Sequence, residues 1–533
     1  MTLHRRTALK GAAAAALAAP VVTPAAAQGR RETLLMVSEN PPNSTDIHGV
    51  GANRPAYEAS WNLYDRLMTF GVKKDANGND HYDYEKLEPE LAEEWDLRPM
   101  SVTFKLRRNA RFHDGTPVTA QDVKWSFDRA VTVGGFPTFQ MMAGSLERRE
   151  QFVVVDDHTF RVDFLRRDKL TMPDLAVPVP VVINSGLARR HATEQDPWAM
   201  NWLRTNPAGS GAFRLERWTP GQEMVFARND AWASGPRPAL ARVIWRIVPQ
   251  AGNRRALLER GDADISFDLP PRDFQEFQAS RRLKIVSTPV ENAMNYIGMN
   301  CARPPFNDVR VRRAVAFAVP YQRIMDQAMF GQGNPLFGGP ADPASITWPQ
   351  PAPFTTDLER ARALLVEAGH GNGFETTLSF DLGTATTSEP MALALAENLA
   401  RIGIRVTINK VPGANWRNEL LKKEMPLIIN GFGGWLNFPD YFFFWAYHGQ
   451  NAVFNTMSYQ NPAMDALIDR SRFEEDPAAY AAAIRGFVKM AWEDVPRIPV
   501  VQPWLNVAMQ NSVTGYRYWF HRQLDYRTLS KTG

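Results

Sequence analysis

The chain has 533 residues, of which 44% are hydrophobic and 22% charged, and this length predicts two or three packed units. Its 61 Lys and Arg residues are nearly balanced by 57 Asp and Glu residues, which argues against nucleic acid as a partner. The single cysteine, Cys301, excludes an internal disulfide. No apolar run after the N-terminus approaches the ~20 residues that span a bilayer, so we expect a mature protein that is not membrane-spanning.

The first 27 residues have the pattern of an export signal. A basic head precedes an alanine-rich apolar stretch, and Ala25 and Ala27 are small residues of the kind that signal peptidase requires. Arg5 and Arg6 resemble a twin-arginine signal, and the alternative is a Sec signal that contains two arginines. Cleavage near Ala27 would remove three of the 61 basic residues and none of the 57 acidic ones. We therefore predict a nearly neutral, periplasmic protein.

Strand-like and helix-like patterns alternate along the rest of the chain, which indicates a layered α/β fold. Residues 102–106 alternate between apolar and polar side chains, as in a half-buried strand. Turn residues follow at 114–117, and Thr119 with Asp122 then predicts the capped start of a helix. This run therefore predicts a strand, a turn and a helix.

The second half of the chain continues the alternation. Thr356 and Glu359 predict a capping box at the start of a helix that ends before Gly369. Residues 390–402 predict another helix, and residues 427–430 predict a buried strand that leads into a glycine-rich turn. These elements suit a sheet that is covered by helices.

Several of these segments resemble the signature of the peptide and nickel family, family 5, of ABC-transporter solute-binding proteins. They occur in the family's order at residues 87–130, 206–218, 295–319, 364–369, 402–404 and 497–499. The third is the most specific match, although Pro320 and Tyr321 stand where the family usually continues with Asp-Arg. The resemblance covers nearly the whole mature chain.

The resemblance implies an α/β clamshell of the periplasmic-binding-protein type II class, in which a two-strand hinge joins two lobes and an extra subdomain is inserted in the first lobe. Such a hinge lets the lobes close with small dihedral changes, and we expect it near Phe267 and Gln502. The predicted boundaries are residues 1–27 for the signal, 28–64, 190–267 and 502–533 for the first lobe, 65–189 for the inserted subdomain, and 268–501 for the second lobe.

The densest aromatic cluster of the chain lies at residues 429–449. In it, Trp435 follows a glycine-rich turn after an apolar strand, where a side chain can point into a cleft. The resemblance implies that Trp435 and Trp416 line the ligand pocket, because indole faces desolvate a ligand and attract cations. Ordinary core packing is the alternative for both, and it is the preferred interpretation for residues 442–445 and for the lone His448.

The residues after Trp435 depart from the peptide binders. The resemblance implies an aspartate three positions later that pairs with the free α-amine of a peptide, and this chain has Phe438 there. Asp440 could replace the missing acid or could cap the following turn, and Asn437 is a further candidate contact. If no acid replaces it, a zwitterionic peptide is a poor ligand, and an uncharged, amidated or differently charged solute becomes the alternative.

Other candidate contacts are more distant in sequence. Asp268, at the presumed hinge, could supply a carboxylate, or it could be a turn residue. Lys423 stands where peptide binders carry a carboxylate-binding arginine, or it is a solvated lysine at a helix end. The candidates on the opposite side of the cleft are Asn53, Arg54, Tyr57, Phe136 and Phe139.

No catalytic or cofactor motif is complete. The nine histidines lack metalloprotease spacing, there is no cysteine pair for zinc, and Gly431-Phe432-Gly433 lacks the third glycine of a dinucleotide loop. We therefore expect no enzyme, no metal and no cofactor. The leading hypothesis is a monomeric receptor that captures a di- or oligopeptide, or a peptide-like compound, and delivers it to the permease and ATPase of an ABC importer at the inner membrane.

Three alternatives remain open at this point. The first is the same receptor for a non-peptide solute or a metal chelate. The second is an exported hydrolase or lyase, for which the chain is long enough. The third is a binding module that works without a transporter.

Overall fold

The structure is a computed structural model that describes residues 31–451 and 454–532, so the predicted export signal at residues 1–27 lies outside the described residues. Among the helices of these ranges, none combines the length and the apolar character that crossing a bilayer requires.

The chain alternates between strands and helices, as predicted. The strands are β1 (Thr33–Ser38), β2 (Met68–Lys74), β3 (Asp80–Pro89), β4 (Ala92–Arg98), β5 (Ser101–Leu106), β6 (Phe152–Asp156), β7 (Thr159–Asp163), β8 (Phe213–Thr219), β9 (Glu223–Arg228), β10 (Arg242–Ile247), β11 (Ile265–Ser266), β12 (Lys284–Pro289), β13 (Ala293–Met299), β14 (Gly333–Pro335), β15 (Phe374–Asp381), β16 (Ile404–Val411), β17 (Leu427–Gly433), β18 (Arg497–Met509), β19 (Val513–Thr514), β20 (Arg517–Tyr518) and β21 (Ser530–Lys531).

The helices connect and cover these strands. They are α1 (Arg54–Leu63), α2 (Ala120–Thr132), α3 (Gly135–Ala143), α4 (Thr171–Asp174), α5 (Ser185–Arg189), α6 (Met200–Leu203), α7 (Ala251–Arg260), α8 (Pro271–Ser280), α9 (Val309–Ala318), α10 (Tyr321–Gln327), α11 (Leu358–Glu367), α12 (Ala385–Ala400), α13 (Gly413–Lys422), α14 (Pro439–Ala446), α15 (Pro462–Arg472) and α16 (Pro477–Asp494), with short 3₁₀ turns at Arg149–Gln151 and Leu382–Thr384.

One mixed sheet runs through both halves of the molecule, in the order β16-β15-β17-β13-β18-β11-β1-β10-β9-β8, and β12 and β14 also pair with β18. The first part of β18 pairs with β13, where Ile297 faces Ile498. The last part pairs with β12, where Val286 faces Val507, and with β11. A single strand is therefore hydrogen-bonded into both halves.

Two large hydrophobic clusters form the cores of these halves. The first includes Trp61, Phe213 and Trp519, and the second includes Phe380 and Phe487. We take the first as the core of the first lobe with its subdomain and the second as the core of the second lobe. The predicted α/β class is confirmed.

A smaller cluster bears on the predicted boundary between the lobes. Phe274 of α8 packs with Val37, Leu258 and Ala508, and β12 pairs with the end of β18. These contacts join α8 and β12 to the first lobe. The boundary between the lobes at residue 268 stays a prediction. The contacts of α8 and β12 favour a later boundary, and we propose that the chain crosses into the second lobe near residue 290.

The predicted capping box at the start of α11 is wrong by one residue. Asp357 is the N-cap, and its carboxylate accepts a hydrogen bond from the backbone N–H of Arg360 at 2.9 Å. Thr356 instead donates its hydroxyl to the carbonyl of Val319. Helix α12 also begins five residues before the predicted start and continues through Pro390.

The inserted subdomain is tied to the first lobe by paired strands and by a buried ion pair. β20, from the C-terminal segment, pairs with β3 of the subdomain, where Tyr518 faces His81. Arg129 of α2 contacts both carboxylate oxygens of Asp46 at 2.9 and 2.5 Å, and both side chains are buried. Burial alone would raise the pKa of Asp46, but the charge and hydrogen bonds of Arg129 outweigh it and lower the pKa.

We predict that Asp46→Asn lowers the free energy of unfolding by about 3–5 kcal/mol, because it leaves the Arg129 guanidinium buried without a counter-ion. Guanidinium denaturation at pH 7 measures this loss. Because the folded-state pKa of Asp46 is lowered, the stability from the pair is present above the ordinary value of 3.8 and is lost as the pH falls below it.

The matched control for this prediction is Asp96→Asn. Asp96 pairs with Arg98 at 2.8 Å on the surface, where both side chains are more than half exposed. We expect this change to cost less than about 1 kcal/mol. Equal losses in the two variants would show that burial does not set the strength of the Asp46–Arg129 pair.

Candidate functional site

The strand β17 places Trp435 between the two lobes. β17 pairs with β13 and β15, and it ends at two consecutive glycines. A Cβ added to Gly433 would lie 2.8 Å from the Cβ of Ala293, and one added to Gly434 would lie 2.5 Å from the ring of Tyr441. Only glycine allows this close passage, so the glycine pair lets the chain turn and direct Trp435 toward the first lobe.

Trp435 meets two aromatic side chains from the other side of the cleft. Its ring centroid lies 4.8 Å from that of Phe136 and 5.4 Å from that of Tyr57, and both pairs are edge-to-face. The rings of Tyr57 and Phe136 stack at 5.8 Å. We name these three residues the aromatic wall. The structure thus brings together three predicted site residues, one from each lobe and one from α3 of the subdomain.

Two adjoining cavities lie beside the end of β17. The first has a volume of about 260 Å³ and is lined by the aromatic wall together with Arg417, Tyr441 and Trp445. The second has a volume of about 280 Å³, and its lining includes Trp416, Asn295, Asp381 and Arg522. Residues 431–433 and Arg54 line both cavities, so we treat them as one cleft.

Trp416 and the residues of α14 divide between the cleft and the core. Trp416 is 7% exposed, as is Trp435, and it lines the second cavity. Phe442 and Phe443 are fully buried in the core of the second lobe. Trp445 lines the first cavity, although core packing was the preferred interpretation for it.

The structure places Asp440 away from the cleft. Its buried carboxylate accepts a hydrogen bond from the Tyr480 hydroxyl at 2.7 Å and lies 3.2 Å from Lys169 Nζ. The chain begins helix α14 at Pro439, so the rule that strand residues two apart share a face does not apply. We therefore do not propose Asp440 as a replacement for the missing acid.

Phe438 and Asn437 line neither of the two cavities. Phe438 is the N-cap residue of α14, and its ring packs edge-on against Tyr84 of the subdomain at 6.4 Å. It therefore covers part of the interface between the second lobe and the subdomain, and it leaves no acid at the position where the resemblance implies an aspartate.

Asp268 and Lys423 are also engaged elsewhere. Asp268 accepts a hydrogen bond from the backbone N–H of Glu39 at 2.9 Å, and burial raises its pKa. Lys423 donates to the carbonyl of Asn455 at 2.5 Å, and burial together with the charge of Arg497 lowers the pKa of Lys423 to about 8. Both residues have structural partners and neither lines the two cavities.

Of the candidates on the first-lobe side, only some reach the cleft. Arg54 and the two aromatic residues Tyr57 and Phe136 do so. Asn53 caps α1, where its side chain accepts the backbone N–H of Ala56. Phe139 lies farther out and contacts Trp445 edge-on at 6.3 Å.

Sequence reasoning missed several cleft residues. Arg417 directly follows Trp416, and this adjacency is the signal that could have identified it. Arg522 comes from the C-terminal segment, where no sequence pattern indicates a site. Asp381 lines the second cavity at the end of β15 and accepts the backbone N–H of Gly383 at 2.8 Å.

Polar contacts hold the subdomain against the second lobe beside the cleft. Lys169 donates to the carbonyls of Ser471 and Arg472 at 2.7 and 3.0 Å, in addition to its ion pair with Asp440. Arg472 pairs with Asp168 at 2.8 Å. We name these residues the interlobe latch. Three of them, Asp168, Lys169 and Arg472, also line an outer groove of about 740 Å³ whose charged groups largely pair with one another.

Comparison with known proteins gives a consistent result. A model of the family described as bacterial extracellular solute-binding proteins, family 5 Middle, matches residues 86–454. The chain is similar to the probable D,D-dipeptide-binding periplasmic protein DdpA of Escherichia coli K12, with 26% identity over 479 residues, which is 88% of each chain. It is also similar to the glutathione-binding protein GsiB of E. coli K12, with 25% identity over 444 residues, which is 81% of this chain and 83% of that one.

A solved structure extends the comparison to the fold. The periplasmic binding protein DppA of Helicobacter pylori, in complex with the peptide STSA, matches with a TM-score of 0.79 at 20% sequence identity. The match covers 94% of this chain and 98% of that chain. The predicted type II clamshell fold is confirmed by this match.

Proposed function

The chain belongs to family 5 of the bacterial extracellular solute-binding proteins, and on that premise we propose that it is the receptor of an ABC importer. It binds a small organic solute between its lobes and delivers it to a permease and ATPase at the inner membrane. Because the family consists of binding proteins, we propose no covalent chemistry. We also propose that residues 1–27 export the chain to the periplasm and that it acts there as a monomer.

The observation that carries this proposal is the aromatic wall. Trp435 comes from the second lobe and Tyr57 from the first, and both line the first cavity. A solute in this cavity contacts both lobes at once, so it binds the closed arrangement more tightly than an open one. Burial of its apolar surface against the three rings contributes roughly 25 cal/mol per Å².

For the ligand we propose a peptide-like compound of small size. The relatives named for a D,D-dipeptide and for glutathione support this class, and so does the size of the cavities, which are near the lower end of the roughly 300–1,000 Å³ that small-molecule sites occupy. Gly431 and Gly433 line both cavities, and their main-chain groups can orient such a ligand.

We predict that Trp435→Ala lowers ligand affinity about 10- to 100-fold, because one apolar face of the site is lost, equivalent to roughly 1.4–2.8 kcal/mol. Native mass spectrometry of protein purified from the periplasm measures the fraction that retains a solute. Trp218→Ala, on the edge strand β8, is the matched control and retains the wild-type fraction. Full retention by Trp435→Ala, or turnover of the solute, would refute the receptor proposal.

A second prediction concerns lobe closure. Lys169→Met removes the ion pair to Asp440 and two hydrogen bonds of the interlobe latch, so we expect the ligand-free protein to populate an open arrangement and to show a larger radius of gyration in small-angle X-ray scattering. Burial lowers the pKa of Lys169, so holding this ammonium in the interface is costly, and the ion pair with Asp440 and the two carbonyl hydrogen bonds offset that cost.

Arg167→Met is the matched control for the latch. Arg167 pairs with Glu475 across the same interface at 3.1 Å, but both side chains are more than 60% exposed. Surface pairs of this kind contribute about 0–1 kcal/mol, so we expect little change in the radius of gyration. An unchanged radius in Lys169→Met would show that the latch does not control closure.

A further inference from the structure

Three arginines converge on the cleft without a carboxylate partner, and from this we propose that the solute is an organic anion with at least two oxyanion groups and no free amine beside Trp435. The inference rests on the proposed function, since it specifies the ligand class of that same site. The three residues, which we name the arginine cluster, are Arg54, Arg417 and Arg522.

Both lobes contribute to the arginine cluster. Arg54 is the first residue of α1 in the first lobe and lines both cavities, whereas Arg417 belongs to α13 of the second lobe. Arg54, Tyr57 and Arg417 line the first cavity together, and burial raises the pKa of the Tyr57 hydroxyl while the positive charges of the two arginines lower it. An anion held between them would contact both lobes and would therefore favour closure.

Arg522 reaches the cleft from the C-terminal segment. Its Nη2 lies 3.2 Å from the point where a Cβ on Gly433 would be, so the missing side chain at Gly433 leaves room for the guanidinium. Arg522 lines the second cavity together with Arg54. Gly433, which helps to direct Trp435 toward the first lobe, thus also leaves space for the guanidinium of Arg522 in the same part of the cleft.

The lack of acidic partners distinguishes these arginines from the buried arginines of the fold. Arg66 lies 2.7 Å from Glu90, and Arg129 lies 2.5 Å from Asp46. In residues 31–451 and 454–532, no carboxylate lies within 4.0 Å of any member of the arginine cluster. The one hydrogen bond from a guanidinium of the cluster to protein in these ranges joins Arg54 to the carbonyl of His521 at 3.3 Å.

The electrostatics of the cluster favour an anion from outside. Burial and the nearby charge of Arg54 lower the pKa of Arg522 to about 9, so it stays cationic at pH 7 but is destabilised by its neighbour. Arg54 is exposed to the interior of the cleft, yet the surrounding protein lowers its pKa as well. A solute carboxylate or phosphate would offset this repulsion, and the planar guanidinium binds such groups through two parallel hydrogen bonds.

The other charges in the cleft do not reverse this conclusion. Among the described residues, Asp381 is the one acidic residue that lines either cavity, and it lines the second cavity together with Arg54 and Arg522. Phe438 supplies no acid for a free α-amine, and Asp440 is bound to Tyr480 and Lys169. An ammonium group beside Trp435 would therefore lie near the positive guanidinium groups without a carboxylate to pair with, which disfavours zwitterionic peptides.

The test uses the mature protein, unfolded and refolded to remove any bound solute, with four probes in isothermal titration calorimetry. N-Succinyl-Ala-Ala carries two carboxylates and no amine, and 3-phosphoglycerate, which carries a phosphate and a carboxylate and no amine, tests phosphate recognition. Free Ala-Ala is the zwitterion, and N-acetyl-Ala-Ala amide is the neutral match. We expect at least one of the two anionic probes to bind at least tenfold more tightly than the zwitterionic and the neutral probe. The anionic probe that binds more tightly shows whether the site prefers carboxylate or phosphate.

Substitutions in the arginine cluster test where the preferred anionic probe binds. Arg417→Gln and Arg522→Gln each weaken it about tenfold, because each removes a charge-assisted contact. Arg98→Gln, on the outer edge of the subdomain, leaves it unchanged. Without any probe, Arg522→Gln unfolds at the same or a higher temperature than the wild type because repulsion is relieved. A lower unfolding temperature would indicate a structural role and overturn the proposal.

The outcomes separate this inference from the proposed function. Equal or tighter binding of Ala-Ala or its neutral match would overturn the anion proposal and leave the receptor proposal standing. If no probe binds, mass spectrometry of the solute retained on native purification decides, since an anion supports the inference and a neutral or cationic solute overturns it. If no probe binds and no solute is retained, the receptor proposal fails together with the inference.

Discussion

The hydrogen bonding of β18 is the constraint on which the rest of the molecule depends. This strand pairs with β13 in one half of the molecule and with β11 and β12 in the other, so one continuous backbone ladder fixes the position of the two lobes. Pro503 lies where the partners change, lacks a backbone N–H, and lines the second cavity. The change of strand partners thus adjoins the cleft, and we propose that closure of the lobes is coupled there to binding of the solute.

The closed arrangement is held by two kinds of contact with different roles. The aromatic wall joins three parts of the chain and lines the first cavity, where we propose that the solute binds. The interlobe latch lies outside the cleft and consists of groups that largely satisfy one another. We propose that the latch sets how readily the protein closes, whereas the aromatic wall and the arginine cluster set which solute it closes on.

The sequence predicts the fold and part of the site. Trp435, Tyr57 and Phe136 could be predicted as candidates because a sequence shows directly which aromatic residues follow glycine turns or lie near family motifs. Asp440 could not be placed, since its direction depends on where α14 begins. Arg522 was missed because the absence of a partner is a property of three-dimensional neighbours: an unpaired arginine and a paired one, such as Arg129, look the same in a sequence.

The C-terminal segment has a role in the order of assembly. After β18 it returns to the first lobe, pairs β20 with β3 of the subdomain, buries Trp519 in the first core, and delivers Arg522 to the cleft. A chain that is still emerging from the ribosome therefore lacks one wall of its own pocket. The cleft is complete only after the last strands have docked on the first lobe.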